Sequence, residues 1–240
     1  MQGEVNCKKR KRLARIRTWE ENSGITTMPK EFRESEERSM YFMLDNYDSF
    51  VYNLSASFRE LGREILVKRA REITLSEIEA LHPEGIILSP GPGKPSDAAE
   101  SLRILEQFKE KIPILGVCLG HQSVGHYFGA RIKKGNRPMH GKLSAIRHLE
   151  SGLFDRVPQG IQVTRYHSLV VDGENFPKEL AVDAVSEDGV IMGMHHKDWP
   201  VYGVQFHPEA VLTEYGREIL ENFVKICDRW GEAYENHKSA

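Results

Sequence analysis

From Tyr41 onward, short runs of wholly apolar residues alternate with segments of helical period. Tyr41-Phe42-Met43-Leu44 reads as a buried strand. It stops at Asp45-Asn46-Tyr47-Asp48, after which Phe50, Leu54, Phe58 and Leu61 recur at helical spacing, with Asp48 as the expected N-cap and Gly62 as the stop. Ile65-Leu66-Val67 and Gly85-Ile86-Ile87-Leu88 are further strands. Leu102, Leu105 and Phe108 mark one face of a helix starting near Asp97. Ile112 to Val117 is the next strand, and a helical segment follows from about Gly120 to Phe128. Strands alternating with helices imply parallel βαβ units and a sheet covered on both faces.

The second half is richer in strands, expected over 142–147, 161–166, 180–186, 189–194 and 201–206. A final helix over 213–230 carries Ile219, Leu220, Phe223, Ile226, Cys227 and Trp230 on one side. Neither an internal repeat nor a low-complexity linker divides residues 40–240, which read as one α/β domain. Residues 1–39 have no sustained apolar period. They run from a cation block, Lys8 to Arg17, through Asn22, Ser23, Gly24 and Pro29 to an acidic stretch, and are expected to be a loosely ordered extension. A basic helix gripping a partner or an anionic surface is the competing reading; a third places the start of translation at Met28 or Met40, directly before the first strand.

Charge sharpens that division. The net charge of −2 is the sum of +3 over residues 1–39 and −5 over residues 40–240. The overall balance argues against nucleic acid as the main partner. No stretch reaches the run of about eighteen apolar residues that a membrane-spanning helix needs, and the basic start lacks the apolar segment of a signal peptide. Three cysteines (Cys7, Cys118 and Cys227) are too few, and odd in number, for a disulfide framework, so a reducing, cytoplasmic setting is expected.

The chemistry is concentrated in three places. Gly116-Val117-Cys118-Leu119-Gly120 lies between a strand and a helix, as in a nucleophile elbow, where a sharp turn lifts the nucleophile above the sheet. The helix N-terminus beneath Cys118 favours thiolate over thiol. On the pentapeptide alone, a buried structural cysteine flanked by turn glycines competes with this reading. His207-Pro208-Glu209 follows the apolar strand 201–206. Proline holds the preceding residue extended, so His207 and Glu209 can point to one side, as a base and the carboxylate that orients it. Alone, that tripeptide is more simply a loop-end histidine; with the elbow it gains force. Ser89-Pro90-Gly91-Pro92-Gly93-Lys94-Pro95 makes a rigid turn in any case. Its functional reading is that Gly93 offers a bare backbone N–H to a developing oxyanion, paired with the N–H of Leu119.

Gly116-Val117-Cys118-Leu119-Gly120-His121-Gln122, taken with Ser89 to Gly93 and His207-Pro208-Glu209, resembles the class I, triad-type glutamine amidotransferases. Three further blocks narrow the resemblance: Leu44-Asp45-Asn46-Tyr47-Asp48-Ser49-Phe50, Pro138-Met139-His140-Gly141-Lys142 and Arg165-Tyr166-His167-Ser168-Leu169-Val170. They are similar to the glutaminase subunit shared by anthranilate synthase and 4-amino-4-deoxychorismate synthase, over about residues 41–228. The resemblance implies a flavodoxin-like fold: one domain with a mixed, mostly parallel central sheet flanked by helices. It implies Cys118 as nucleophile, His207 as general base and acid, and Glu209 as its orienter. Gly91, Pro92, Gly93, Gln122, Ser168 and Leu169 would hold glutamine, and the N–H groups of Gly93 and Leu119 would form the oxyanion hole. Two departures occur, Gly125-His126 in place of Gly-Glu and His148-Leu149-Glu150 in place of His-Asp-Gly, and neither touches the triad.

What the resemblance implies is glutamine hydrolysis through a Cys-His-Glu triad, with ammonia passed to a separate chorismate-binding synthase chain. The product would be anthranilate, for tryptophan, or 4-amino-4-deoxychorismate, for folate. Neither a cofactor nor a metal is implied, and His195-His196 lacks accompanying ligand spacing. The alternatives are a stand-alone γ-glutamyl hydrolase or peptidase-like relative, a regulatory subunit with a dead site, and an amidotransferase serving another synthase. Phe42, Phe50, Phe58 and Phe108 read as core rather than as a stacking platform.

Overall fold

Alternate side chains of the first strand, β1 (Met40–Asp45), enter two different cores. Tyr41 and Met43 pack with one apolar cluster, Phe42 and Leu44 with another, and all four are fully buried. That is the signature of a strand covered on both faces. The structure, a computed structural model, describes residues 40–238, and the cationic segment expected to form a loosely ordered extension lies outside the described residues.

The chain continues through α1 (Val51–Glu60), β2 (Glu64–Arg69), α2 (Leu75–Leu81), β3 (Gly85–Leu88), α3 (Ala99–Phe108), β4 (Ile114–Val117) and α4 (Leu119–Tyr127). Then come β5 (Ile132–Lys134), β6 (Lys142–His148), β7 (Gln162–Arg165), β8 (Leu169–Val171), β9 (Leu180–Ser186), β10 (Ile191–His196), β11 (Val201–Val204) and α5 (Gly216–Lys238). Nine strands form one sheet in the order β2-β1-β3-β4-β11-β10-β9-β6-β7, and β5 pairs with β8 alone. Strands β2, β1, β3, β4 and β11 are parallel to one another, whereas β10, β9, β6 and β7 extend the sheet from β11 by antiparallel pairing. The sheet is therefore mixed, and parallel throughout the half flanked by α1 to α4.

One cluster joins Val51, Leu54 and Phe58 of α1 to Ile219, Leu220 and Phe223 of α5; the other joins Ile78 of α2 to Ile104, Leu105 and Phe108 of α3. Two expectations need adjustment. Asp48 does not cap α1: the helix starts at Val51, and the Asp48 carboxylate accepts the Phe50 N–H just before it, at 2.8 Å. The last helix spans Gly216–Lys238 rather than 213–230, and a Cβ on Gly216 would sit 2.0 Å from the Pro208 carbonyl, where the loop after β11 passes the helix start. Two classes of element had no readable period. Helix α2 buries only Ile78 and is held by a capping box between Thr74 and Glu77. Strands β5 and β8 are three residues each, too short to show alternation.

Candidate active site

Parallel pairing of β4 with β11 brings the two halves of the site together. Val117 is level with Val204 in that ladder, so the chain leaves both strands at the same edge: Cys118 follows the first, His207 the second. The Cys118 N–H donates to the Val204 carbonyl at 2.9 Å and the His207 N–H to the Thr164 carbonyl at 3.0 Å. Thr213 completes the brace, its hydroxyl donating to the His207 carbonyl at 2.7 Å.

Cys118 stands between β4 and α4 with φ +53° and ψ −100°, a conformation that L-residues adopt only when the surroundings enforce it. The enforcement comes from packing. A Cβ on Gly116 would lie 2.4 Å from the Gly120 carbonyl carbon, and one on Gly120 would lie 2.1 Å from the Leu88 carbonyl oxygen. The elbow is thus pressed onto its own first helical turn and onto the end of β3. Gly120→Ala is expected to cost about 2 kcal/mol or more, since the obstruction is backbone rather than a movable side chain. Chemical denaturation of the variant measures it.

His207 and Glu209 turn to one side as the proline between them predicts. The imidazole Nδ1 lies 2.7 Å from the Glu209 carboxylate, and both side chains are buried. The other ring nitrogen, Nε2, is buried and hydrogen-bonds no protein group among the described residues. It faces the thiol: burial works against a charged imidazole, but the Cys118 side chain and the Glu209 carboxylate outweigh it and hold His207 protonated well above its ordinary value. A carboxylate-supported imidazole thus stands beside the elbow cysteine.

Two aromatic rings enclose that histidine. Phe50 lies 5.0 Å and Tyr166 5.3 Å from the imidazole, centroid to centroid, and 4.9 Å from each other. Phe50, expected in the core, belongs to this wall. Its helical spacing concealed the role, because Leu54 and Phe58 on the helix that follows are core residues.

The loop Ser89 to Gly93 sits beside the elbow. A Cβ on Gly91 would meet Leu119 Cδ2 at 2.7 Å and Asn46 Cβ at 2.6 Å. Asn46 ties the loop down, its N–H donating to Ser89 Oγ at 2.9 Å and its amide to the Ser89 carbonyl at 3.0 Å. Gly93 has φ +85°, with Pro92 and Gly93 exposed. Leu119 opens α4, so its N–H is among the first-turn donors that have no partner within the helix. On the opposite side, Gln122 donates to the Leu169 carbonyl at 2.9 Å, drawing Ser168 and Leu169 to the same helix. Gly91 thus packs on the first residue of α4, and Leu169 is hydrogen-bonded to the same helix through Gln122.

A family model for class I glutamine amidotransferases matches residues 42–227. The chain belongs to that family. Among similar proteins, anthranilate synthase component 2 of Cyanophora paradoxa is 50% identical over 190 residues, 79% of this chain and 100% of that one. Aminodeoxychorismate/anthranilate synthase component 2 of Bacillus subtilis is 47% identical over 186 residues, covering 78% and 96%. Aminodeoxychorismate synthase component 2 of Escherichia coli is 46% identical over 185 residues, covering 77% and 99%. A solved structure from Thermoplasma acidophilum, described as a GMP synthase subunit, superposes with a TM-score of 0.74 at 28% identity, over 83% of this chain and 98% of that one.

Within this amidotransferase the less diagnostic blocks acquire physical roles. Pro138 to Lys142 backs the wall of the site: Met139 N–H donates to the His167 carbonyl at 2.9 Å, and the His140 ring stands edge-on to Tyr166 at 5.5 Å. His148, at one of the departures from the family pattern, stacks on Phe154 at 4.9 Å as a packing residue. His195 pairs with Asp183 at 2.6 Å, an ion pair that accounts for its raised protonation. Among the described residues no helix is long and apolar enough to cross a membrane.

Proposed function

We propose that this amidotransferase is the glutaminase subunit of a chorismate-using synthase and that Cys118, His207 and Glu209 perform its hydrolysis. The observation that carries the reading is the buried Glu209–His207 pair with its free Nε2 turned to a cysteine at the strained elbow. The Cys118 thiolate attacks the side-chain amide carbon of glutamine, and the tetrahedral oxyanion accepts from the N–H groups of Gly93 and Leu119. His207 gives its Nε2 proton to the departing nitrogen, releasing ammonia and leaving a γ-glutamyl thioester. Water, losing a proton to the same nitrogen, attacks the thioester; glutamate leaves and the thiolate is restored.

Gly91, Pro92, Gln122, Ser168 and Leu169 hold the substrate between the loop after β3 and the segment leading into β8. Ammonia released to solvent would be lost as ammonium, so it passes to a separate synthase chain that binds chorismate. The names of the relatives support both anthranilate and aminodeoxychorismate as the product. The setting is the cytoplasm, where Cys118 and Cys227 stay reduced, and residues 1–39 are an extension to a catalytic domain over 40–240.

A γ-chloroketone or diazoketone analogue of glutamine tests the assignment. Labelling is expected on Cys118 alone, sparing Cys227, which is buried in the core, and free glutamine should compete. Labelling elsewhere, or none, would sink it. Co-purification with a chorismate-consuming chain, read as fluorescent anthranilate against aminodeoxychorismate, then identifies the pathway.

A further inference from the structure

The largest fully buried side chain among the described residues is a charged one, Arg165, at 1% exposure. It ends β7, on the antiparallel half of the sheet, and its donors are aimed in two directions. One face pairs with Asp188 in the turn between β9 and β10, at 2.8 and 3.2 Å, and Ser144 of β6 accepts at 2.9 Å. The Nε–H points the other way and donates to His167 Nε2 at 3.1 Å.

That last bond decides a tautomer. A guanidinium can only donate, so His167 Nε2 must accept, and the ring proton is driven to Nδ1. Nδ1–H then donates to the Leu169 carbonyl at 3.0 Å. The same carbonyl takes an N–H of Gln122 at 2.9 Å, and the second N–H of that amide goes to Gln205 at 3.1 Å. A continuous chain of hydrogen bonds therefore runs from the carboxylate of Asp188 to the segment Ser168-Leu169 and to the helix behind Cys118. Burying a guanidinium is costly even when it is paired, so a mere filler of this volume would be apolar.

We propose that Asp188, Arg165 and His167 are positioning residues that hold Ser168-Leu169 and Gln122 for glutamine, setting substrate affinity rather than the rate of the chemical step. The inference rests on the reading of those three residues as glutamine contacts. The groups facing His167 are Arg165 and Asp188, His207 from the loop after β11, and His121 of α4. Burial, then the Arg165 charge, drives its protonation down to about 4, against the Leu169 carbonyl and Asp188, so the ring stays neutral at working pH and keeps its assigned tautomer.

The test uses the full chain and two readings between about pH 5 and 8: the glutamine concentration that half-protects Cys118 from iodoacetamide, and kcat and KM for glutamine hydrolysis. Asp188→Asn and Arg165→Met are expected to raise KM and the half-protecting concentration about tenfold, with kcat within about threefold of wild type. In Arg165→Met, glutamine binding should also acquire an ionisation above the wild-type value of about 4, shifted toward but not reaching the ordinary imidazole value of about 6.5, because the Arg165 charge is gone while burial remains. His167→Asn places an amide N–H where Nδ1–H was and should retain affinity; His167→Gln reaches only the Nε2 position and should raise KM as Arg165→Met does, without the new ionisation. Unchanged KM with no new ionisation, or a fall in kcat alone, overturns the inference, as does lowered thermal stability by itself. Asp188 is partly exposed, so its asparagine variant carries the test if Arg165→Met does not fold. A wild-type chain that neither hydrolyses glutamine nor is protected by it would overturn the proposed function instead, and this inference with it.

Discussion

Cys118→Ala is expected to lower glutamine hydrolysis by at least about 10⁴-fold while leaving ammonium-dependent synthesis by the partner intact. The two halves of that result have different causes. The hydrolytic loss is large because no other thiol can substitute: the only other free cysteine among the described residues, Cys227, is buried on the inner face of α5 beside Tyr41. The retained half follows because the substitution removes one sulfur and keeps the backbone. Alanine still places a Cβ in the φ +53° conformation, which Gly116, Gly120 and the Cys118 N–H to Val204 bond enforce independently of the thiol. The fold around the elbow is therefore unchanged, and the proposed partner should use supplied ammonium at its ordinary rate. Product formation from chorismate with glutamine and with ammonium salt, run side by side, measures both; surviving glutamine-dependent turnover would defeat the proposed mechanism.

His207→Gln is expected to cost about 10³-fold in hydrolysis, since the same nitrogen donates to the leaving ammonia and later accepts from water. Its pH behaviour is read more cleanly by removing the neighbour. The Cys118 side chain and Glu209 raise His207 protonation from the ordinary 6.5 to about 10, against burial. A folded-state value raised in this way contributes stability that is fully present below about pH 6.5 and is lost as pH rises through about 10. Glu209→Gln removes part of that contribution. Its stability deficit relative to wild type should be greatest on the acid side of neutrality and shrink toward pH 10, and alkylation of Cys118 at pH 7 should slow. Denaturation midpoints at several pH values measure the first, and iodoacetamide kinetics the second; a pH-independent deficit would show that Glu209 acts through packing alone.

The parts of the fold that were legible in the sequence are those whose local period matches their burial. Tyr41 to Leu44, Gly85 to Leu88 and Ile114 to Val117 are continuous apolar runs because both faces of the parallel half are covered, and α1 and α3 show a stripe because each buries one side only. Helix α4 was harder to read. Residues Leu119 to Gly125 are all buried, including His121, Gln122 and Ser123, so no polar face marks its period. The elbow glycines located it instead. Elements of three residues, and a helix held by a capping box, fell below any detectable repeat.

By itself the sequence determined the candidate residues of the proposed chemistry and their order along the chain: a cysteine between glycines at a strand–helix junction, and a His-Pro-Glu after a strand. Proline stiffness and glycine size act over a few residues, so their consequences can be read locally. Only the tertiary structure decided which groups meet across the sheet. The parallel register of β4 with β11 brings Cys118 to His207 across 89 positions. Phe50 and Tyr166 close around that histidine from two other elements, and a buried guanidinium on the antiparallel half settles the tautomer of His167. Charge pairing in a low-dielectric interior depends on distance and desolvation, quantities that exist only once the chain has folded.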